Sequence, residues 1–540
     1  MAATLTAERP GTTPSSTAVT SDKLVRFLRR PENYGDGTCA VDFKETHISW
    51  VALTDRRAYK VKKPVCFPFL DYSTLELRLH ACREELRLGR RLAPDVYLGY
   101  VPIAVGPLGK LQFGGDGPVV NYCVVMKRLP ETRMLDRLIR EQTATRADID
   151  RLLSVLVPFY AKAVRGPAID QHATASAIET QGRENLATIG STDHGLPGSM
   201  FKRVRASQLQ FLKLSAAVFA ERVRSGRICE GHGDLRPEHV CMVDPPVVFD
   251  CVEFSLPLRS ADVISELAFL AMELDFLGVP DLATALIESY KTRTCDAVPD
   301  TLINFYKSYR ACIRAKVDLL RAGQLTGPAA EQARTHARRY LQLASYYATE
   351  FYRPKLFVMV GATGTGKSSI ANALADALSL EVVRTDAIRH ELGGQRMPDA
   401  GYREGIYSDS MTIRTYETLF DRAETLLREA VSVLLDGTFR DARQRDRAVE
   451  LAQRHGADIH FVCCRCPAEI ARARIAQRIA RREGISDARP ELFAIQEQEL
   501  RAAENWGDRS VVFLDTMLPI PTCVAQVIDA LRCRAGHPVA

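Results

Sequence analysis

Residues 355–378, KLFVMVGATGTGKSSIANALADAL, constrain the fold of this chain more than any other stretch. The apolar run Leu356 to Val360 predicts a strand buried on both faces, as in a parallel sheet covered by helices. It leads directly into Gly361, Ala362, Thr363, Gly364, Thr365, Gly366, Lys367 and Ser368, which fit G-x-x-x-x-G-K-[ST] and are followed by a helical pattern. Each residue type has a physical reason to stand there. Glycines let the backbone wrap phosphate oxygens without Cβ clashes, and the helix N-terminus supplies aligned N–H groups. Lys367 offers a mobile positive charge to the β/γ-phosphates, and the Ser368 hydroxyl is placed to ligate Mg²⁺. Strand, loop and helix together predict a site for ATP.

After Pro354 the pattern of strand, loop and helix repeats through LEVVRT, VSVLLD, IHFVCC and SVVFLD. Five apolar strands alternating with helices predict an α/β P-loop domain with a five-stranded parallel sheet over residues 353–540. Ligands of such sheets bind outside the carboxyl ends of the strands. Two such ends carry acids, Thr385-Asp386 and Asp436-Gly437-Thr438. Asp386 is the candidate for orienting or deprotonating an acceptor hydroxyl. Asp436 holds Mg²⁺ through water or takes that same role, and either carboxylate alone also suits a helix cap or turn. In RARIAQRIARR, Arg474, Arg478 and Arg481 share one helical face, with Arg472 and Arg482 beside it. That face is either a solvated basic surface or a lid that closes on phosphates.

On GATGTGKS, RTDAIRHELGG, LLDGTFRDARQR and the arginine-rich segment, residues 355–520 resemble the P-loop small-molecule kinases akin to gluconate kinase, chloramphenicol phosphotransferase, zeta toxins and polynucleotide kinase. The resemblance implies ATP-dependent phosphorylation, with Asp386 and Arg389 facing the acceptor and Arg474 and Arg478 on the nucleotide. It leaves the acceptor open, because this group acts on sugars, antibiotics, nucleotide sugars and nucleic-acid ends.

The first part of the chain has a different grammar. HISWVAL, the turn TDRR and AYKVKKPV predict a hairpin, STLELRLHACREELRLGRRLA a helix, and YLGYVPIAV and VVNYCVVMKRL further strands. Residues 135–227 and 261–352 read as mostly helical around EGHGDLRPEHVCMVDPPVVFDCVEFS, residues 230–255. The spacing H-x-D-x-x-x-x-(N) makes Asp234 the carboxylate near an acceptor hydroxyl and Asp250, ending VVFD, a metal-binding carboxylate. His239 stands where such loops place asparagine. Lys60 is the candidate for gripping the α/β-phosphates, with Lys62 as alternative, and Glu85 its ion-pair partner, with Glu84 as alternative. Over about residues 40–340 this order resembles the aminoglycoside phosphotransferase-like kinases, which implies an α+β bilobal, protein-kinase-like fold. Two features depart from protein kinases: GDG at residues 35–37 is the nearest thing to a glycine-rich loop, and DCVE replaces D-F-G. The whole chain resembles bacterial two-domain proteins that join these modules. A kinase-like lobe that binds nucleotide without transferring phosphate is the competing reading, since imidazole is a poor Mg²⁺ ligand. In the active reading Asp250 and Glu253 carry the metal.

A length of 540 residues suggests two domains, here 23–350 and 353–540 after a disordered tail at 1–22 that carries no targeting pattern. Apolar residues at 46% and charged residues at 26% are ordinary for a soluble globular protein. A net charge of +6 does not by itself argue for nucleic acid or membrane as partner, which favours small-molecule acceptors and weighs against, without removing, a third reading as a nucleic-acid end kinase. The fourteen cysteines lack paired spacing and read as reduced thiols of a cytoplasmic protein, with Cys463, Cys464 and Cys466 as buried or edge thiols. ISELAFLAMELDFLGV carries Glu266, Glu273 and Asp275 and reads as a buried helix, not a membrane span. The oligomeric state is left open.

Overall fold

A computed structural model of the chain describes residues 19–67, 70–393, 408–481, 491–502 and 506–534. Residues 1–18 of the expected tail, Arg482 and the side chain of Arg481 lie outside the described residues. The chain packs as two compact units, Met1–Ile169 with Cys229–Asp296, and Asp170–Ile228 with Ala297–Ala540.

The first unit is built on a six-stranded sheet. Its strands are β1 (Asp42–Glu45), β2 (Ser49–Leu53), β3 (Arg57–Lys62), β4 (Tyr97–Val105), β5 (Leu111–Phe113) and β6 (Val119–Lys127). They run in the order β1-β2-β3-β6-β4-β5, antiparallel throughout. Alternation along β3 sends Tyr59 and Val61 into an apolar layer with Trp50, Ile103 and Val125, and leaves Lys60 and Lys62 on the opposite face. On that face lies the helix Leu75–Gly89, capped by the Thr74 hydroxyl, which accepts from the Leu77 amide. The helix approaches β4 closely at Gly89, where any Cβ would stand 2.3 Å from the Tyr97 ring. Helices Arg146–Lys162, Val263–Phe276 and Pro280–Thr294 complete the unit. The second of these is the expected buried helix; Glu266 and Glu273 are among its buried residues. Among the described residues no single helix is long and apolar enough to cross a membrane.

The second unit contains β7 (Lys355–Val360), β8 (Glu381–Arg384), β9 (Val433–Asp436), β10 (Asp458–Arg465) and β11 (Val511–Asp515). They form the expected five-stranded parallel sheet in the order β8-β9-β7-β10-β11. Central β7 is sealed on both sides. Leu356, Val358 and Val360 face the helices Asp409–Arg428 and Ala442–Arg454, whereas Phe357 and Met359 face the helices Lys367–Leu378 and Ile520–Arg534. Cys463 and Cys464 are buried in these layers, as read from the sequence.

By packing, the second unit reaches back before residues 350–354. The helices Ala175–Gly190, Gly198–Leu214, Asp300–Gln324 and Gly327–Ala348 belong with the P-loop sheet, not with the first unit. Helical periodicity announces a buried face but not its partner. Here Leu214 packs against the layer of Phe357 and Leu374, and Lys202 pairs with Glu381 at 2.8 Å. Buried Gln210 donates through Nε2 to the carbonyl of Leu378 at 2.9 Å, satisfying an acceptor that the end of helix Lys367–Leu378 leaves without an intrahelical donor. Gln210→Ala is therefore expected to cost about 1–3 kcal/mol of stability. Chemical denaturation of the full chain measures it, and an unchanged midpoint would remove the helical layer from the second unit's stabilising contacts.

Candidate functional site

The phosphate-cradling loop of the second unit owes its shape to its glycines. Gly361, Gly364 and Gly366 adopt φ of 146°, 79° and 84°. A Cβ on Gly361 would lie 2.6 Å from the Cys464 carbonyl oxygen, and one on Gly364 equally close to that of Ala471. Lys367 begins the helix and folds its Nζ back onto the Ala362 carbonyl at 2.7 Å, while the Thr365 hydroxyl donates to the same carbonyl at 2.8 Å. The Thr363 amide donates to Gln496 Oε1 at 2.8 Å. Burial lowers the Lys367 pKa from its ordinary value, against the pull of Asp436 and Asp386. Burial likewise raises that of Asp436, against Lys367, a hydrogen bond to the Ser368 side chain and Arg384. Both groups thus sit where charge is poorly solvated, and a phosphate arriving beside Lys367 favours its charged form.

The candidate side chains gather at this loop. Asp436 ends β9, and Asp386 opens the helix Thr385–Gly393 that follows β8, the adjacent strand. Asp386 accepts from Arg389 Nη1 at 3.0 Å. The helix Ala468–Arg481 carries both arginines predicted for the nucleotide. Arg474 donates to the Thr516 hydroxyl at 3.1 Å and its carbonyl at 2.8 Å. Arg478 stands close enough to Lys367 to repel it, and its Nε and Nη2 are buried without a hydrogen-bond partner among the described residues. A half-buried guanidinium with two buried, unpartnered nitrogens beside a phosphate-shaped loop suits an anion. Ser368 and Asp436 offer hydroxyl and carboxylate oxygens beside the loop, a donor set that suits Mg²⁺.

The first unit brings its predicted residues together as well. Lys60 Nζ lies 2.8 Å from Glu85 Oε1 and 2.5 Å from Asp250 Oδ1, so Glu85, not Glu84, is its helical partner. Burial opposes the charge of Lys60, but Asp250, Glu85 and Glu253 outweigh it and hold its pKa well above the ordinary value. Asp250 has φ of 65°, and its amide donates to the Tyr97 hydroxyl at 3.0 Å. Lys62 is fully buried between the second oxygen of Glu85 and Glu253. The Tyr72 hydroxyl donates to that same Glu253 at 2.6 Å. Glu253, read from the sequence as a metal ligand beside Asp250, is instead tied to Lys62 and Tyr72. Among the described residues no three His, Cys, Asp or Glu side chains gather as a metal cluster.

Two histidines set the loop. His232 is pushed down to about 4 by burial and is neutral; its Nε2 meets the Phe249 carbonyl at 2.8 Å, and its Nδ1 accepts the Asp234 amide at 3.3 Å. His239 Nδ1 lies 2.8 Å from the Asp234 carbonyl, which can only accept, so the proton belongs on Nδ1. Its Nε2 then faces Asp250 Oδ2 at 3.6 Å. Asp234 also pairs with Arg236 at 3.0 Å.

The charges that tie this loop to the Glu85 helix carry no motif of their own in the sequence. Glu230 is buried, and its carboxylate meets Arg87 and Arg259 at 2.9 Å each and Arg91 at 3.4 Å. Burial alone would raise its pKa, yet the hydrogen bonds from Arg87 and Arg259 bring it down to about 2. Arg91 also donates to the Glu230 and Gly231 carbonyls at 2.8 and 2.7 Å. The available signal was a lone acid in the apolar strand RICEG. In the second unit Gln496 and Thr516, on separate elements, left no local signal.

The family model described as an AAA domain matches residues 356–502. The chain is 34% identical over 477 residues to the uncharacterized protein Rv2004c of Mycobacterium tuberculosis, covering 85% of this chain and 92% of that protein. The same values hold for the uncharacterized protein Mb2027c of Mycobacterium bovis. Among solved structures, a gluconokinase from Sinorhizobium meliloti 1021 is 20% identical with a TM-score of 0.26, over 34% of this chain and 94% of that one. The Mycobacterium tuberculosis APS kinase in complex with AMPPNP and APS is 21% identical with a TM-score of 0.24, over 33% and 98%.

Proposed function

We propose that this chain, which belongs to the family of the mycobacterial protein Rv2004c, is an ATP-dependent phosphotransferase with two nucleotide sites acting on small hydroxyl-bearing acceptors. The observation that carries the reading is the second unit's loop, with Lys367 and unsatisfied Arg478 on one side and Asp386 and Asp436 at neighbouring strand ends. Loop amides and the helix N-terminus bind the phosphates. Lys367 and Arg478 then stabilise charge that grows on the transferring group. Ser368 and Asp436 would hold Mg²⁺, which would supply positive charge to the transferring phosphates. Asp386 orients the acceptor hydroxyl and takes its proton, while Arg389 holds that carboxylate in place.

In the first unit the same logic assigns the nucleotide phosphates to Lys60, supported by Glu85, and the acceptor proton to Asp234. The resemblance to aminoglycoside phosphotransferase-like kinases supports this assignment. His239 beside Asp250 favours the second reading, a regulatory protein whose first unit binds nucleotide without transferring it. Transfer of labelled γ-phosphate from ATP to a metabolite pool separates the two, since a switch releases only free phosphate or none.

Asp386→Asn is expected to leave ATP affinity within about twofold while lowering transfer by about 10²–10⁴-fold. Equilibrium nucleotide binding and acceptor phosphorylation are the two measurements. Weakened ATP binding with an unchanged transfer rate would move Asp386 into the metal's coordination instead.

A further inference from the structure

The first unit holds a cavity lined by none of Lys60, Lys62, Glu85, Asp234, His239 and Asp250. It is bounded by residues 91–96, 127–130, 155–164 and 243–247 and has a volume of about 650 Å³, within the range of small-molecule sites. Its walls are mostly apolar: Leu92, Ala93, Val96, Phe159 and Pro246 are buried there, and Val164 at the edge is 55% exposed. Its charges are unequal. Arg91, Lys127, Arg128 and Lys162 stand against Asp95 and Asp244. Arg91 lies over the Phe159 ring at 5.1 Å, Arg128 donates to the Thr54 carbonyl, and Asp244 lies 3.7 Å from Arg151. Lys127 and Lys162 are exposed, with no ion pair among the described residues.

Two of its lining residues grip the segment that leads to Asp234. Arg91 donates to the Glu230 and Gly231 carbonyls, and the Val164 carbonyl accepts the Glu230 amide at 2.9 Å. Lys127 also ends β6, the strand on which Val124 is the register partner of Lys60 on β3.

We propose that this cavity binds a small organic anion with an apolar body, an aryl- or alkyl-carboxylate, and that its occupancy changes nucleotide affinity at the Lys60 site. The apolar walls take the body, and Lys127 and Lys162, free of carboxylate partners, take the charge. Occupancy biases Arg91 and Val164, and with them Glu230, which fixes the loop of Asp234 against the Glu85 helix. By linkage the nucleotide must change affinity for the anion by the same factor.

The test uses the full chain with 4-phenylbutyrate as probe and calorimetry as readout, with 4-phenylbutan-1-ol as the uncharged control. Saturable binding of the carboxylate, at least tenfold tighter than the alcohol, is expected. The double variant Lys127→Glu, Lys162→Glu should weaken it at least tenfold, and so, independently, should Val164→Asp; both change exposed side chains, so the fold persists. No saturable binding at millimolar probe, or equal binding by these variants, overturns the site. The coupling rests on the reading of the first unit as a nucleotide site and is measured separately. In a Lys367→Ala chain, the bound mant-ATP that Lys60→Ala removes should change affinity at least threefold with saturating 4-phenylbutyrate. If no bound mant-ATP depends on Lys60, the nucleotide reading of the first unit falls while the cavity stands. If such binding exists but ignores the probe, the coupling is overturned.

Discussion

Lys367→Ala is expected to abolish ATP turnover by the second unit, lowering it by at least about 10²–10³-fold, the loss typical of removing one preorganised donor to developing charge. Nucleotide binding should weaken less than turnover, because the loop amides and helix N-terminus still hold the phosphates. The fold should persist, since among the described residues the Lys367 ammonium donates to the Ala362 carbonyl of its own loop. The measurement belongs in the full chain carrying Asp234→Asn, so that the first unit adds nothing. A fragment starting at residue 353 would lack Gln210 and Leu214, which pack on the helix that Lys367 begins. Unchanged turnover in the full chain would end the assignment of this loop to ATP.

In a Lys367→Ala background, Asp234→Asn and Asp250→Asn are each expected to remove the remaining transfer by about 10²–10⁴-fold. Asp234 loses its capacity to accept the acceptor proton. Asp250 loses the charge that Lys60 contacts at 2.5 Å and that a metal would need. His239→Asn is expected to be tolerated or to raise Mg²⁺-dependent transfer. An amide oxygen suits Mg²⁺ better than the imidazole Nε2 that now faces Asp250. Phosphorylation of an acceptor pool, with nucleotide binding measured in parallel, decides the matter. Complete loss in His239→Asn with nucleotide still bound makes His239 itself a ligand or base. If none of the three changes moves turnover while Asp250→Asn weakens nucleotide binding, the first unit binds without transferring.

The P-loop region was legible because its signals are local. A buried strand, a glycine turn at positive φ and a helix start are each dictated by residues within about ten positions of one another, and the strand count followed from the same grammar. Lys60 and Glu85 were picked out by the chain order of lysine, glutamate and two aspartates, but the choices against Lys62 and Glu84 needed the actual packing. The helical layer on the P-loop sheet was not legible. The pairs Gln210–Leu378 and Lys202–Glu381 join residues more than 160 positions apart, and nothing in an amphipathic pattern names the surface it will cover. Glu253 shows the same limit: its neighbour Asp250 suggested a metal, but Lys62 and Tyr72 come from distant segments.

The division into units also sets a schedule for synthesis. The nascent chain passes from one unit to the other after residues 169, 228 and 296, so helices 175–190 and 198–214 emerge before most of their partners exist. At about 5–20 residues per second, the roughly 150 residues between Leu214 and the start of helix Lys367–Leu378 delay that partner by about 8–30 s. During that interval the apolar face around Leu214 waits uncovered, while the first unit can close as soon as residue 296 leaves the ribosome. A pause or truncation between residues 300 and 360 would therefore yield a finished first unit trailing an unsatisfied helical layer, a species suited to capture by chaperones or proteases.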